Sequence, residues 1–354
     1  MKNVKITLIF FSLLCVFSSC FRNEDSDDVR RYGKLAKGLY VLCEGTGLDN
    51  NSALSYYNFA DSSSMLNYFE DGLGKNANDM ISVDNKLYIV VTESACVWVL
   101  DKDSGTRITR IEITDKEGNN RKPRHLTYHE GFVYVSCWDA TVVKIDKNNN
   151  SIVGECSTQG RYPEGIAVAK NKLYVANSGG LDYPNYDKTV SVIDIKDFVF
   201  ENKIEVEKNP QTLKVYKDKI YVLSTGNYMT TPVLTVINNG EKEKQISLNI
   251  VDFDFCNDRL YFFYRSPYAD PKTNKDFNLS YLDINNLDSP AQILKKQTLP
   301  SMVMPYHITI VEKTLFVCDA KDFQNTGEVF ALDLQGDLLY KFPTLINPSV
   351  VVAK

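Results

Sequence analysis

PEGIAVAKNKLYVANS, residues 163–178, sets two short apolar runs on either side of a Lys-Asn-Lys turn, and its second run carries a tyrosine, Tyr174, near the centre. Runs of this length, rich in β-branched and aromatic residues and joined by a tight polar turn, predict a β-hairpin. The second half of the phrase returns as KGLYVLCEG (37–45), NKLYIVVTES (85–94), GFVYVSCWD (131–139), DKIYVLSTGN (218–227), DRLYFFYRS (258–266) and KTLFVCDAKD (313–322). An aromatic therefore recurs at Tyr40, Tyr88, Tyr134, Tyr174, Tyr221, Tyr261 and Phe316, at intervals of 40 to 55 residues. A repeat of that length in strand-forming residues marks a propeller blade of four strands.

The rest of each period agrees. An apolar strand and a polar turn precede the aromatic strand in EGIAVAKNKLYV, TLKVYKDKIYV and HITIVEKTLFV. A third run follows, as in VWVLDKDSG, VVKIDKNNN, VSVIDIKD, LSYLDINN and VFALDLQGD. It places Asp101, Asp146, Asp194, Asp283 and Asp333 at one repeated position, where a carboxylate suits a hairpin turn into a fourth strand. No segment sustains an apolar period of 3.6 residues, so the expected fold is all-β. It is one seven-bladed β-propeller over residues 37–354. NPSVVVAK (347–354) reads as an inner strand without an aromatic partner, and Gly38 opens an aromatic strand with no inner strand before it. Residues 348–353 are expected to complete the blade begun at Gly38, so that no sheet edge is left open.

The chain has 354 residues, 44% hydrophobic and 24% charged, enough for a large folded core. Its net charge of -5 offers no basic excess to hold phosphates, which argues against a nucleic-acid partner. MKNVKITLIFFSLLCVFSSC places two lysines before an apolar run, Ile6 to Phe17, too short to span a bilayer as a mature helix but suited to a signal-peptide core. The end of this run resembles the lipobox of bacterial lipoproteins, with Phe17 where leucine is usual. That resemblance implies a signal peptide over 1–19 and lipidation of Cys20. FRNEDSDD, which follows, resembles the acidic export signal of surface lipoproteins in Bacteroidetes, and residues 20–36 are expected to form an acidic tether to the outer membrane.

Antiparallel neighbours place the loop leading into each inner strand and the loop leaving each aromatic strand on one face. The opposite face carries short polar hairpins such as VDNK and YKDK. The first face is richer. Its lead-in loops bring Asn78, Asp79, Arg124, His125, Tyr162, Glu164, Gln211, Tyr306 and His307. Its outgoing loops bring Glu44, Glu93, Trp138, Asp139, Tyr183, Tyr186, Asn227, Tyr228, Arg265, Tyr268, Lys321 and Phe323. Aromatic bodies with polar tips on a rigid ring make a ligand platform.

Other chemistry is thinly marked. Six cysteines, Cys43, Cys96, Cys137, Cys156, Cys256 and Cys318, fall on strands or strand ends of different blades with no C-x-x-C pair, and read as buried free thiols. Two histidines, His125 and His307, could approach one another at the channel mouth. No phosphate loop, G-x-S-x-G or defensible carboxylate dyad is present, so no catalytic residue, cofactor or metal site is expected and the chain reads as a binding protein, not an enzyme.

The P-x-G-I-A-V…N-K-L-Y-V-A-N-S pattern over Pro163 to Ser178 resembles YncE-like seven-bladed propellers. With the lipobox and acidic tether, the chain looks most like surface propeller lipoproteins of gut Bacteroidetes, among them the BtuG group. That resemblance implies capture of cobamides, the vitamin B12 (cobalamin) class of corrinoids, and hand-off to a BtuB-like TonB-dependent transporter at the cell surface. A corrinoid is a broad disc edged with amides, to be met by aromatic bodies and by amide-pairing polar groups. The contacts expected are Arg124, His125, Trp138, Asp139, Tyr162 and Glu164 on one side, and Tyr183, Tyr186, Tyr228, Arg265, Tyr306 and His307 on the other. Two other classes compete. An adhesion or scaffold propeller would bind protein or glycan through the same face, and a lactonase-type enzyme would gather carboxylates on an axial metal, for which Asp79, Glu164 and Asp252 look incomplete.

Overall fold

The computed structural model describes residues 37–354 except 70, 228, 266–276 and 295–301. The expected signal peptide, Cys20, the tether, Tyr228 and Tyr268 lie outside the described residues. The described residues form seven four-stranded antiparallel sheets around a central axis. Blades 1 to 6 cover 77–112, 123–157, 163–205, 210–247, 252–293 and 305–346, and blade 7 joins 348–353 to 38–65. The seven-bladed propeller expected from the repeat is the fold.

Each repeat aromatic sits on the second strand of its blade and is buried to at least 97%. The reason is packing between blades, since a sheet this narrow must bury both faces against its neighbours. Tyr88, Val90, Val97 and Val99 of blade 1, for example, share a core with Val133, Val135, Val143 and Ile145 of blade 2. Burying each such side chain contributes about 1.5–3 kcal/mol. For Tyr40 and Tyr88 the hydroxyl adds a tie to the next blade, whereas that of Tyr134 is buried with no partner among the described residues. Tyr40 of blade 7 donates to the carbonyl of Lys102 in blade 1, and Tyr88 donates to Asn150 Oδ1 in blade 2 at 2.9 Å, so the ring is apolar and its tip ties down the next blade's hairpin.

The repeated aspartates do what their position required. Asp101 accepts the backbone N–H of Ser104 at 2.8 Å, Asp146 that of Asn148 at 2.7 Å, Asp283 that of Asn285 at 2.9 Å and Asp333 that of Asp337 at 2.9 Å, so they close the hairpins into the outer strands. Those outer strands face solvent; EKEKQIS of blade 4 (Glu241–Ser247) protects its edge with charge.

The ring closes as the termini implied. Leu39 pairs with Ala353 and Cys43 with Pro348, so the final strand, β28 (Pro348–Ala353), is the inner strand of the blade that Gly38 begins. All six cysteines among the described residues are free thiols; Cys256 is half-buried and the other five are buried.

The seven inner strands, β4 (Ala77–Val83), β8 (Pro123–His129), β12 (Pro163–Ala169), β16 (Pro210–Tyr216), β20 (Asp252–Cys256), β24 (Pro305–Val311) and β28, line the axis side by side. In six of the seven blades the pairing of this strand slips near its first residues, a β-bulge; β20 alone pairs in step. A bulge leaves residues unpaired and re-aims their side chains. Here the unpaired residues are Asn78, Arg124, His125, Glu164, Gly165, Gln211, Tyr306 and Ser349. The residue before five of these strands, Asn76, Lys122, Tyr162, Asn209 or Asn347, has φ between 48 and 63°. Asparagine accepts that left-handed backbone readily, whereas Lys122 and Tyr162 hold it at a cost of order 1 kcal/mol each.

Candidate functional site: the channel mouth

The bulges create the site. All of their unpaired residues except Glu164 line one cavity of about 460 Å³ in the axial channel, at the end where the inner strands begin. Glu44 and Thr225 reach it from the outgoing loops, and Ile81, Leu126, Ile166 and Leu213 lie among its apolar walls. The loop-rich face expected to carry function is the face on which this mouth opens.

The side chains at the mouth are held before any ligand arrives. Glu164 is buried between blades 2 and 3, its Oε2 accepting Arg124 Nε at 2.8 Å and its Oε1 accepting Trp138 Nε1 at 2.9 Å. The Arg124 guanidinium lies over the Trp138 ring at 4.5 Å, a cation–π contact, and Tyr162 meets the same ring edge-on at 6.0 Å. His125 places Nδ1 3.3 Å from Asp79 Oδ2 and Nε2 3.6 Å from Glu164 Oε2. Burial works against its charge, but the two carboxylates prevail and push it up to about 9, so it is an imidazolium at neutral pH. Burial likewise opposes ionisation of Asp79 and Glu164, yet His125 holds Asp79, and Arg124 with His125 holds Glu164, below the ordinary carboxylate range. Asp79 also accepts the backbone N–H of Leu126 at 2.9 Å, stitching blade 1 to blade 2.

A second group lies on blades 4 to 6. His307 Nδ1 is 2.8 Å from Asp252 Oδ2, its Nε2 is 2.8 Å from Thr309 Oγ1, and Lys214 Nζ is 3.8 Å from Asp252 Oδ1. Against its burial, the charges of Lys214 and His307 and the Ile308 N–H lower Asp252 to about 2. On blade 7, Glu44 Oε2 accepts Asn347 Nδ2 at 2.8 Å and the Tyr306 hydroxyl at 3.2 Å. Burial pushes Glu44 up to about 7, in spite of the Tyr306 hydrogen bond and the Arg124 charge.

Of the expected contact residues, Arg124, His125, Tyr306 and His307 line the cavity, and Glu164, Trp138 and Tyr162 back them. The two histidines do not meet; each is held by its own carboxylate. Asp139 is turned away to Arg121, 2.7 Å distant, and belongs to a loop anchor instead of the cavity. Tyr183 stands 73% exposed on the long 178–188 loop with Tyr186 buried beside it, rings 6.0 Å apart and edge-on. Arg161 secures that loop through Asp182 and the Asn185 carbonyl, so Tyr183 is presented on a fixed support. Arg265 is half-buried, outside the cavity wall, with an Nε that finds no partner among the described residues, and burial lowers its pKa. Among the described residues no group of three or more His, Cys, Asp or Glu side chains is gathered as a metal ion requires.

Sequence reasoning placed Glu44, Asp79 and Gln211 on this face without naming them as contacts, and it overlooked Lys214 and Ser349. The available signal was positional. Five of the seven inner strands start with proline, and the one or two residues after it are the ones the bulge turns inward.

No protein-family model matches the sequence, and no curated protein matches it. Solved structures do match in shape. Hydrazine synthase of Kuenenia stuttgartiensis is 15% identical with a TM-score of 0.64, over 77% of this chain and 88% of that one. A quinonprotein alcohol dehydrogenase-like protein of Bacteroides thetaiotaomicron is 13% identical with a TM-score of 0.63, over 90% and 78%. The Pan2 WD40 domain of Neurospora crassa is 14% identical with a TM-score of 0.55, over 78% and 81%. Identities this low carry the fold and nothing finer: this chain is a seven-bladed β-propeller, similar in architecture to proteins of unrelated roles.

Proposed function

We propose that this propeller is a non-catalytic capture protein, tethered to the outer surface of the cell by lipidated Cys20, which takes cobamides at the channel mouth and passes them to a TonB-dependent transporter. The observation that supports this reading best is the pre-paired mouth, where Arg124, His125, Trp138 and Glu164 hold one another beside an open cavity. Fixing these groups in advance spares the ordering cost that flexible contacts would impose on binding.

A corrinoid disc is too broad to enter a cavity of about 460 Å³ and would lie across the mouth, with part of its edge reaching inward. Trp138, Tyr162 and Tyr306 offer aromatic surface there, while Asn78, Gln211 and Arg124 offer partners for the edge amides. The carboxylates already have partners: Glu164 has Arg124, Asp79 has His125, and Asp252 has Lys214 and the His307 ring. That engagement suits recognition better than proton transfer, and it gives neither histidine the role of cobalt ligand. Leu48 and Tyr183, 77% and 73% exposed on outgoing loops of blades 7 and 3, offer apolar footholds for the transporter.

The test is a calorimetric titration of the mature protein, purified in detergent, with cyanocobalamin. The reading requires one-to-one binding that weakens by about 10-fold or more in each of Trp138→Ala and Tyr306→Ala. Absence of heat at tens of micromolar would remove cobamides and leave a surface propeller with a protein or glycan partner.

A further inference from the structure

On the turn face, away from the channel mouth, three tyrosines meet around a cation. Tyr40 and Tyr56 stand on the second and third strands of blade 7 and Tyr68 on the segment leading to blade 1, their ring centroids 5.0 to 5.4 Å apart. Lys354 Nζ lies over all three rings, 4.8 Å from the centroid of Tyr56, 5.5 Å from that of Tyr68 and 5.7 Å from that of Tyr40. Each distance is within reach of a cation–π attraction. The ammonium also donates to the Tyr68 hydroxyl at 3.3 Å, so its partners are ring faces and a hydroxyl, where other lysines of this chain, such as Lys188 and Lys219, pair with carboxylates. Two glycines admit the rings: a Cβ at Gly38 would collide with Tyr56, and one at Gly105 with Tyr68. Burial raises the hydroxyls of Tyr40 and Tyr56 above the ordinary tyrosine value, so both rings are neutral and offer π faces, not phenolates.

We infer that Tyr40, Tyr56 and Tyr68 form an ammonium-binding cage whose resident ligand is the chain's own Lys354, which latches the strand that closes the ring. The cage lies on the face opposite the mouth and does not depend on the capture reading.

The ring faces decide the class of ligand. Each carries a negative quadrupole, so three of them turned to one point repel a carboxylate, offer an uncharged group only packing, and attract a compact cation. What the cation holds follows from its backbone. The Lys354 N–H donates to the Gly38 carbonyl at 2.9 Å, the Lys37 N–H donates to the Lys354 carbonyl at 3.2 Å, and the Tyr56 hydroxyl donates to the Lys37 carbonyl at 3.2 Å. One cluster therefore fastens Lys37 and Lys354 together where β28 meets the strand begun by Gly38. The ends of paired strands fray most readily, and a latch at this point protects the pairing on which ring closure depends.

The test is urea denaturation of the mature protein in detergent at neutral pH. Lys354→Met, which keeps an unbranched stem and removes the charge, is expected to lower the folding equilibrium constant about 10-fold. In a Tyr68→Leu background the same substitution should cost less than about threefold, because the charge has lost one wall of its cage. Tetramethylammonium chloride at about 100 mM should stabilise Lys354→Ala about threefold over sodium chloride of equal ionic strength, and leave the native protein, whose cage is filled, unchanged. The latch is overturned if Lys354→Met is as stable as the native protein, if its cost is undiminished by Tyr68→Leu, or if tetramethylammonium favours Lys354→Ala no more than the native protein. A further measurement on the native protein covers variants that fail to fold. The Lys354 ε-methylene protons should resonate upfield of those of exposed lysines, shielded by the three rings, and an unshifted signal would overturn the cage as well.

Discussion

Glu164 Oε2 accepts the Nε–H of Arg124 at 2.8 Å, and through this contact the inner strands of blades 2 and 3 are joined at the channel mouth. The two side chains are 4% and 14% exposed, so the pair is largely removed from water. Breaking such a pair from one side leaves a buried charge without compensation. Glu164→Ala is therefore expected to cost about 3–5 kcal/mol of stability in urea denaturation and to weaken ligand binding as well, because Trp138 and His125 lose the same carboxylate. A loss below about 1 kcal/mol would mean that the pair is solvated and that the mouth is not held by it.

Stability should decline as pH rises from mildly acidic to alkaline. His125 has a folded pKa of about 9 against an unfolded value of 6.5, so its contribution is complete below 6.5 and lost as pH climbs through 9. Glu44 acts in the same direction, with a folded value of about 7 against 4.5, and its contribution is lost as pH climbs through 7. Asp252 acts in the opposite sense, its folded value of about 2 giving stability that is present above 3.8 and lost only in strong acid. Thermal melts from pH 5 to pH 9.5 should show a falling midpoint, and His125→Gln should flatten the upper part of the slope. A midpoint that rises toward pH 9 would contradict the charge assignment at the mouth.

Removing residues 348–354 takes the inner strand out of blade 7 and uncovers Leu39, Val41 and Leu42, all fully buried in the ring. Each lost burial costs about 1.5–3 kcal/mol, so the shortened chain should lose cooperative melting or melt well below the intact one. The amide of Lys354 lies 2.9 Å from the Gly38 carbonyl, which makes a useful control possible. A circular permutant joining the two ends and opening within the 147–150 hairpin should keep its propeller circular dichroism and a single transition.

Gly165 lies where the inner strands of blades 3 and 4 approach closely. A methyl group built there would stand 2.7 Å from both the Gln211 carbonyl oxygen and the Leu213 nitrogen, and backbone atoms cannot step aside cheaply. Gly165→Ala should cost about 1–3 kcal/mol or more by urea denaturation and disturb binding through Gln211. Gly165 is not on left-handed backbone, so the cost there is crowding alone; Gly118→Ala is the converse case, a methyl group with no atom within 4 Å but on left-handed backbone at φ 86°.

The sequence by itself determined the architecture, the seven repeats, the placing of each aromatic on a second strand, the hairpin aspartates and the closure of the ring by residues 348–353. These features are legible because each depends on neighbours within one hairpin: an alternating run, a polar turn and a carboxylate two to four residues from the amide it caps. The division into a turn face and a loop face followed from antiparallel pairing alone. The composition of the mouth did not. Arg124 and Glu164 carry no mark, in one strand or the other, that they will share a hydrogen bond, and nothing in the order of VLCEG (41–45) and NPSVV (347–351) brings Glu44 beside Ser349. Tertiary structure decided those meetings, because bulges at the first residues of six inner strands turn unlike side chains into one channel. There burial and opposite charge compete, pushing His125 up and holding Glu164 down, while Asp139 is taken up by Arg121 outside the cavity. The fold repeats because every blade solves the same packing problem, and the site does not repeat because each bulge presents a different residue to the same small space.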